Sequence, residues 1–184
     1  MPQTLFSIQK LKATVGEFAK GNRYNVSIFP PSGIPALVSN AAINKLPFLC
    51  ESASLPTKGI ATNPHDIHGP PREIAYRETF TESALSFILD DAFTVKRYFD
   101  DWQTNIVSPT TSNPSYYDNY VGAINITRLE NNSTNLLGGP DKYRVRLEEA
   151  YPSAVGEVAL GHSQGNEVLK LSVTFKYRKW NFIT

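Results

Sequence analysis

The sequence predicts a mainly β protein: an antiparallel β-sandwich or barrel-like unit with one flanking α-helix and a short N-terminal helix. Three observations carry this. Short runs of alternating apolar and polar residues recur along the chain, most clearly over residues 142–149 and 168–177. One well-defined helical stripe stands among them, and the connections are rich in Gly, Pro, Asn and Ser rather than helical, which excludes repeated β-α-β units.

The elements follow in order. Leu5, Ile8, Leu11, Val15 and Phe18 share one helical face, with Gly21 and Asn22 as a stop. Residues 23–29 alternate, placing Tyr24, Val26 and Ile28 on one side, until Pro30 and Pro31 close the strand. Residues 32–45 show no period, and residues 46–52 read as a short strand. Residues 54–72 contain Pro56, Pro64, Pro70 and Pro71 without a usable period, so they are expected to form a long exposed loop. Residues 73–80 and 84–90 then read as a hairpin joined at Thr81, Glu82 and Ser83. The best helix follows: Asp90 or Asp91 can cap it, and Val95, Phe99, Trp102 and Ile106 recur at helical spacing on its packing face. A polar stretch runs to Asp118, residues 120–129 form a β-branched strand, and residues 131–140 are a turn-rich connection. Residues 142–149 alternate around Tyr143, Val145 and Leu147, and residues 168–177 around Leu169, Leu171, Val173, Phe175 and Tyr177. Without an internal repeat or a shift in composition, residues 1–184 are expected to form a single domain.

At 184 residues the chain is long enough for one domain that buries roughly 70% of its unfolded surface. Eighteen Lys and Arg balance 17 Asp and Glu, so there is no overall field to hold the protein on nucleic acid or an anionic membrane. Charged residues make up only 19% of the chain, low enough to suggest that some surface faces other subunits. A single cysteine, Cys50, excludes an internal disulfide. With no signal-peptide pattern and no run of ~20 apolar residues, the expectation is a soluble chain folded in a cytoplasm. Asn-X-Ser/Thr triplets at Asn25, Asn125, Asn131 and Asn132 carry no weight without a secretory route.

Candidate chemistry is sparse. His65, Asp66 and His68 form the one cluster with ligand chemistry, but His162 is remote and the cluster lies in the proline-rich loop. A metal site needs three or four ligands on rigid elements, so these are read as incidental loop residues and no cofactor or metal is expected. Of the carboxylate pairs, Asp90 and Asp91 suit a helix N-terminus, and Asp100 and Asp101 a solvent-facing helix side. Gly138, Gly139 and Pro140, like the glycines at 161 and 165, lack the context of a phosphate loop, and no serine sits in a nucleophile elbow. No enzyme is indicated.

Several segments, taken in order, carry a resemblance. They are Asn22-Arg23-Tyr24-Asn25-Val26; Phe48-Leu49-Cys50-Glu51-Ser52-Ala53-Ser54 running into Leu55-Pro56; Tyr98-Phe99-Asp100-Asp101-Trp102-Gln103; Tyr151-Pro152-Ser153-Ala154-Val155-Gly156-Glu157-Val158-Ala159-Leu160; and Val173-Thr174-Phe175-Lys176-Tyr177 with Trp180 beyond. Together they resemble the tail tube proteins of contractile-tailed, T-even-like bacteriophages, a family related in fold to the hexameric tube protein of type VI secretion. Residues 30–45 and 108–117 and the tail after Trp180 look longer than the family pattern, leaving open a tube subunit or a baseplate tube initiator.

The resemblance implies a structural virion protein of the tail, assembled in the host cytoplasm. Six protomers would close into a ring with a continuous inner β-barrel, and rings would stack into a conduit for DNA ejection. Implied partners are further copies of itself, the sheath, tape-measure and baseplate proteins, and phage DNA in transit without sequence-specific binding or membrane insertion. The stiffened loop, with Pro56, Lys58, Pro64, His65, Asp66, His68, Pro70 and Pro71, is the candidate for ring stacking. A conduit should not grip phosphates, so a bore lined by Lys170 and Lys176, or by Arg144 and Arg146, would need neutralising partners such as Glu148 or Glu157. A ligand-binding sandwich, for instance carbohydrate-binding, using Trp102, Trp180, Tyr116 and Tyr117 is the alternative of another class, and a metal-dependent enzyme using His65 and His68 is a third.

Overall fold

The computed structural model describes residues 8, 14, 18–31, 33, 36–66, 69–129, 143–162, 165 and 167–183, with the backbone alone over 36–41. The expected N-terminal helix falls outside these apart from Ile8, Thr14 and Phe18, as do the whole connection at 131–140 and His68.

The chain is mainly β and antiparallel. Among the described residues it has nine strands: β1 (Tyr24–Phe29), β2 (Cys50–Ala53), β3 (Lys58–His65), β4 (Arg72–Phe80), β5 (Ser83–Ile88), β6 (Gly122–Arg128), β7 (Tyr143–Val155), β8 (Lys170–Lys176) and β9 (Lys179–Phe182). Three helices join them: α1 (Ala36–Leu49), α2 (Thr94–Ile106) and the single-turn α3 (Tyr117–Tyr120). Seven strands form one sheet in the order β1-β6-β7-β8-β5-β2, with β9 also on β7, while β3 and β4 form a separate two-stranded sheet.

The long strand β7 links the two halves of the large sheet. Its first part pairs with β6 and β9 and its last residues, from Tyr151 on, pair with β8. Between them the β6 register shifts, and Glu149 adopts a left-handed backbone, φ 53°. One extra residue on one strand bends it and strengthens its twist. Expected to end at 149, the strand instead turns there and continues.

Alternation gives each half one buried face. Val26, Ile28, Ile124, Ile126, Val145 and Leu147 from one half meet Leu85, Phe87, Leu171, Val173 and Phe175 from the other. Helix α2 completes the core with Val95, Tyr98, Phe99 and Trp102, all fully buried, and Ile106 packs at its margin. The rings interlock edge to face: Phe99 lies 5.8 Å from Phe175, and Tyr98 lies 5.8 Å from Trp102. The indole N–H of Trp102 donates to the carbonyl of Tyr120 at 2.7 Å, so this large buried ring leaves no polar atom unpaired.

Four expectations are corrected. Residues 36–49 form a helix, where no period was expected and a strand was expected from 46. Its apolar signal is short, with Ala42 and Leu46 one turn apart, and Pro47 in its last turn looks like a break in sequence. Residues 54–72 are not a loop throughout: Lys58–His65 is a strand paired with Arg72–Phe80. Consequently residues 73–80 and 84–90 are not a hairpin, since β5 pairs with β2 and β8. Finally, Lys179–Phe182 is a ninth strand, where Trp180 and Phe182 pack edge to face.

Candidate functional site: assembly surfaces

Strands β7 (from Tyr151), β8, β5 and β2 form a four-stranded wall with two unlike faces. One faces the core. On the other, Ala84, Ser86, Lys170, Ser172, Thr174 and Lys176 alternate outward, with Ser86 opposite Ser172 and Ala84 opposite Thr174. Most of these side chains are small, Ile88 joins them opposite Lys170, and a lysine stands at each end of β8.

Both lysines are neutralised. Lys170 donates to Glu51 on β2 at 2.5 Å, and Lys176 lies 3.3 Å from Glu82 beside β5. Glu148 and Glu157, the carboxylates expected from sequence, do not do this. Glu148 instead accepts from Lys179 and Asn181 on β9, which holds its carboxyl below the usual carboxylate range. The true partners were hidden because Glu51 lies 119 residues from Lys170 in the chain. Arg144 and Arg146 lie on the other half of the sheet, where Arg146 sits over the ring of Phe29 at 5.9 Å.

This wall has open edges. Among the described residues β2 pairs only with β5, and residues 151–155 of β7 pair only with β8. The β2 edge is partly used, since the carbonyl of Cys50 accepts the Tyr24 hydroxyl at 3.0 Å. Burial pushes the Cys50 thiol up to about 11, against a smaller opposing effect of the hydrogen bond from Tyr24.

The second surface is the β3–β4 arm, which leaves the wall between β2 and β5. Its root is clamped. The Ser54 hydroxyl accepts from the Ala84 N–H at 2.9 Å and donates to the Ala84 carbonyl at 2.8 Å, while the Ser83 hydroxyl donates to the Ser54 carbonyl at 3.0 Å. The hydroxyls of Thr57 and Thr81 also bond, and Phe80 packs against Tyr177 at 6.0 Å. Beyond the root the arm stands in solvent. Pro56 and Lys58 mark its start, where Lys58 pairs with Glu78 at 2.6 Å; Pro64, His65 and Asp66 lie toward the tip, and Pro70 and Pro71 lead into β4. Ile60 and Tyr76 are each 63% exposed and Ile74 is 51% exposed.

Among the described residues no three of His, Cys, Asp and Glu come together as a metal site. Trp102 is buried and cannot stack on a ligand, while Tyr116 is 86% exposed.

The sequence profile of the family described as phage tail tube protein matches residues 19–183. The chain belongs to that family. No protein with a curated function matches the sequence. Among solved structures, this tail tube protein is similar to a chain of the anti-feeding prophage baseplate, with TM-score 0.65 and 14% identity over 91% of this chain and 97% of that one. It is also similar to a chain from the sheath/tube terminator of the extracellular contractile injection system PVC, with TM-score 0.62 and 15% identity over 92% and 99%. A chain from the PVC sheath–tube complex gives 0.58 and 14% over 97% and 98%. At such identities these likenesses show that the fold is shared over nearly whole chains.

Proposed function

We propose that this tail tube protein is the repeating structural subunit of the inner tube of a contractile phage tail. Six copies close into a ring, with β2 of one copy pairing with residues 151–155 of the next, so that the four-stranded walls join into a continuous barrel around an open bore. The observation that carries this is the wall itself: a buried inner face, a largely polar, charge-compensated outer face, and two edges whose backbone is unpaired among the described residues. Unpaired edges invite indefinite pairing unless a ring consumes them. Strand direction fixes the seam. Each neighbour in β7-β8-β5-β2 is antiparallel, so β2 and β7 run oppositely, and rotation about a ring axis preserves direction; the seam is therefore antiparallel.

In this reading the polar face lines the bore, where Glu51 and Glu82 cancel Lys170 and Lys176, so DNA in transit meets no net positive wall. The arm stacks one ring on the next. Sheath, tape-measure and baseplate proteins are the further partners, and the role needs no covalent chemistry. Support comes from the family and from the fold shared with structures described as a baseplate, a tube terminator and a sheath–tube complex.

The test combines negative-stain microscopy with cross-linking. In a Cys50→Ser background, Ser52→Cys with Ala154→Cys is expected to give an oxidised ladder ending at six copies, and annular particles. A monodisperse species of about one chain's mass at high concentration, with no ladder, overturns the proposal. A second reading, a baseplate tube initiator, draws on the likeness to the anti-feeding prophage baseplate chain. It predicts single rings that lengthen only when another tail protein is added.

A further inference from the structure

A slot of about 600 Å3 lies between β1 and α1, and none of the residues lining it is charged. One wall is the free edge of β1: among the described residues this strand pairs only with β6. The other wall is apolar helix surface, supplied by Ile43, Pro47 and Phe48. Phe48 is 79% exposed, and Phe29 at the end of β1 is 48% exposed. Unpaired backbone beside apolar side chains sets the chemistry of an occupant. An added strand satisfies the first and covers the second, whereas a helix could do only the second.

Such a strand needs apolar side chains toward α1 and uncharged polar ones on its reverse, because β1 turns Val26 and Ile28 to the core and Asn25 and Ser27 the other way. Strand β9 matches. Trp180 and Phe182 lie opposite Leu147 and Val145 on its core face, and Asn181 lies on the reverse. Phe182 is 60% exposed, and its ring is held edge to face by Tyr143 and Trp180, each at 5.1 Å. A ring already fixed loses little freedom on docking. Among the described residues β9 pairs only with β7, so its second edge is open. It stands at the opposite margin of β1-β6-β7-β9, so β1 receives it from another copy.

The other open edges do not fit. The proposed ring seam consumes β2 and residues 151–155 of β7. On the arm, β4 carries Arg72, Glu73, Arg77 and Glu78, charges that an uncharged slot would strip of water, and β3 offers one large apolar side chain, Ile60. Direction agrees with β9 as well. Neighbours in β1-β6-β7-β9 are all antiparallel, so β1 and β9 run oppositely, and rotation about a ring axis keeps them so. Phe182, Val145, Ile126 and Val26 stand level across the sheet, as do Asn181, Arg146, Asn125 and Ser27. A level seam therefore puts Phe182 opposite Val26, on the core face, and Asn181 opposite Ser27 on the reverse.

We infer that β9 of one copy enters the slot between β1 and α1 of the next copy in the same ring, adding a strand to β1 and seating Phe182 against Pro47 and Phe48. This rests on the tube reading and adds an outer seam to its inner one. Each copy then joins the next through two strand edges, and once one has formed the other closes at high effective concentration. The edges of β1 and β9 are consumed with those of the wall, which leaves neither open to uncontrolled pairing.

Phe48 is largely exposed, so changing it should leave the monomer folded, with circular dichroism as the control. F48D is expected to raise the concentration at which rings form by about tenfold or more. In a Cys50→Ser background, Ser27→Cys with Asn181→Cys is expected to give an oxidised ladder ending at six copies; Asn25→Cys with Asn181→Cys covers a seam staggered by two residues. Rings that cross-link through positions 52 and 154 but through neither outer pair overturn the inference and leave the tube reading standing. Unchanged ring formation by folded F48D also overturns it, as does F48D that keeps rings and loses only filaments, which assigns the slot to ring stacking. If F48D does not fold, the two cysteine pairs decide. Wild-type protein that forms no rings overturns the tube reading, and this inference falls with it.

Discussion

At Gly122 the chain has no room for a side chain. A Cβ there would lie 2.4 Å from the Phe29 carbonyl oxygen and 3.1 Å from the Trp102 ring. One contact is backbone and the other is a fully buried indole fixed by its hydrogen bond to Tyr120. Neither can yield cheaply, so Gly122→Ala should destabilise by about 1–3 kcal/mol, the usual cost of overpacking. Urea denaturation would measure this, and an unchanged midpoint would disprove the close approach. Sequence offers no hint of it, because the glycine becomes crowded only when β1 and α2 are brought to it.

Among the elements, α1 and α2 are tied through Asp90. Its carboxylate accepts from Lys45 of α1 at 2.8 Å and from both the backbone N–H and the hydroxyl of Thr94, at 2.8 and 2.7 Å. Partial burial alone would raise this carboxyl, but the bonds from Lys45 and Thr94 outweigh it and bring the pKa down to about 2. A depressed carboxylate stabilises the fold above its ordinary value of 3.8 and loses that contribution as pH falls through about 2. With Lys45 half exposed, roughly 1–2 kcal/mol is expected. Asp90→Asn should lower stability at pH 7 by that amount and flatten the loss between about pH 4 and 2 in paired acid titrations. The sequence offers Asp90 or Asp91 as the capping residue from their place before a helical stripe, and the bond from the Thr94 N–H selects Asp90. The sequence could not supply Lys45, since residues 32–45 showed no helical period.

For the whole molecule the decisive property is the balance of charge on the proposed bore face. Glu51→Gln with Glu82→Gln would leave Lys170 and Lys176 uncompensated, two positive charges per copy. Assembled variant tubes should then retain DNA at low salt and release it as salt rises, by counterion release, while wild-type tubes retain none. Binding assays across a salt series would measure this; retention by wild-type tubes at low salt would refute a neutral bore.

Local pattern alone determined the mainly β class, the strands around Val26, Val145 and Val173, and the packing face of α2, because alternation and helical spacing survive without knowledge of neighbours. The ordered motifs around Trp102 and Tyr151 were enough to indicate the family. Tertiary structure decided what depends on partners distant in sequence. Glu51 meets Lys170 only across β5, the one intervening strand; β4 finds β3 rather than β5; and the proline-rich stretch becomes an arm because pairing with Arg72–Phe80 satisfies its backbone. Pairing is a free-energy comparison among all available edges, and a strand's own residues do not contain its competitors.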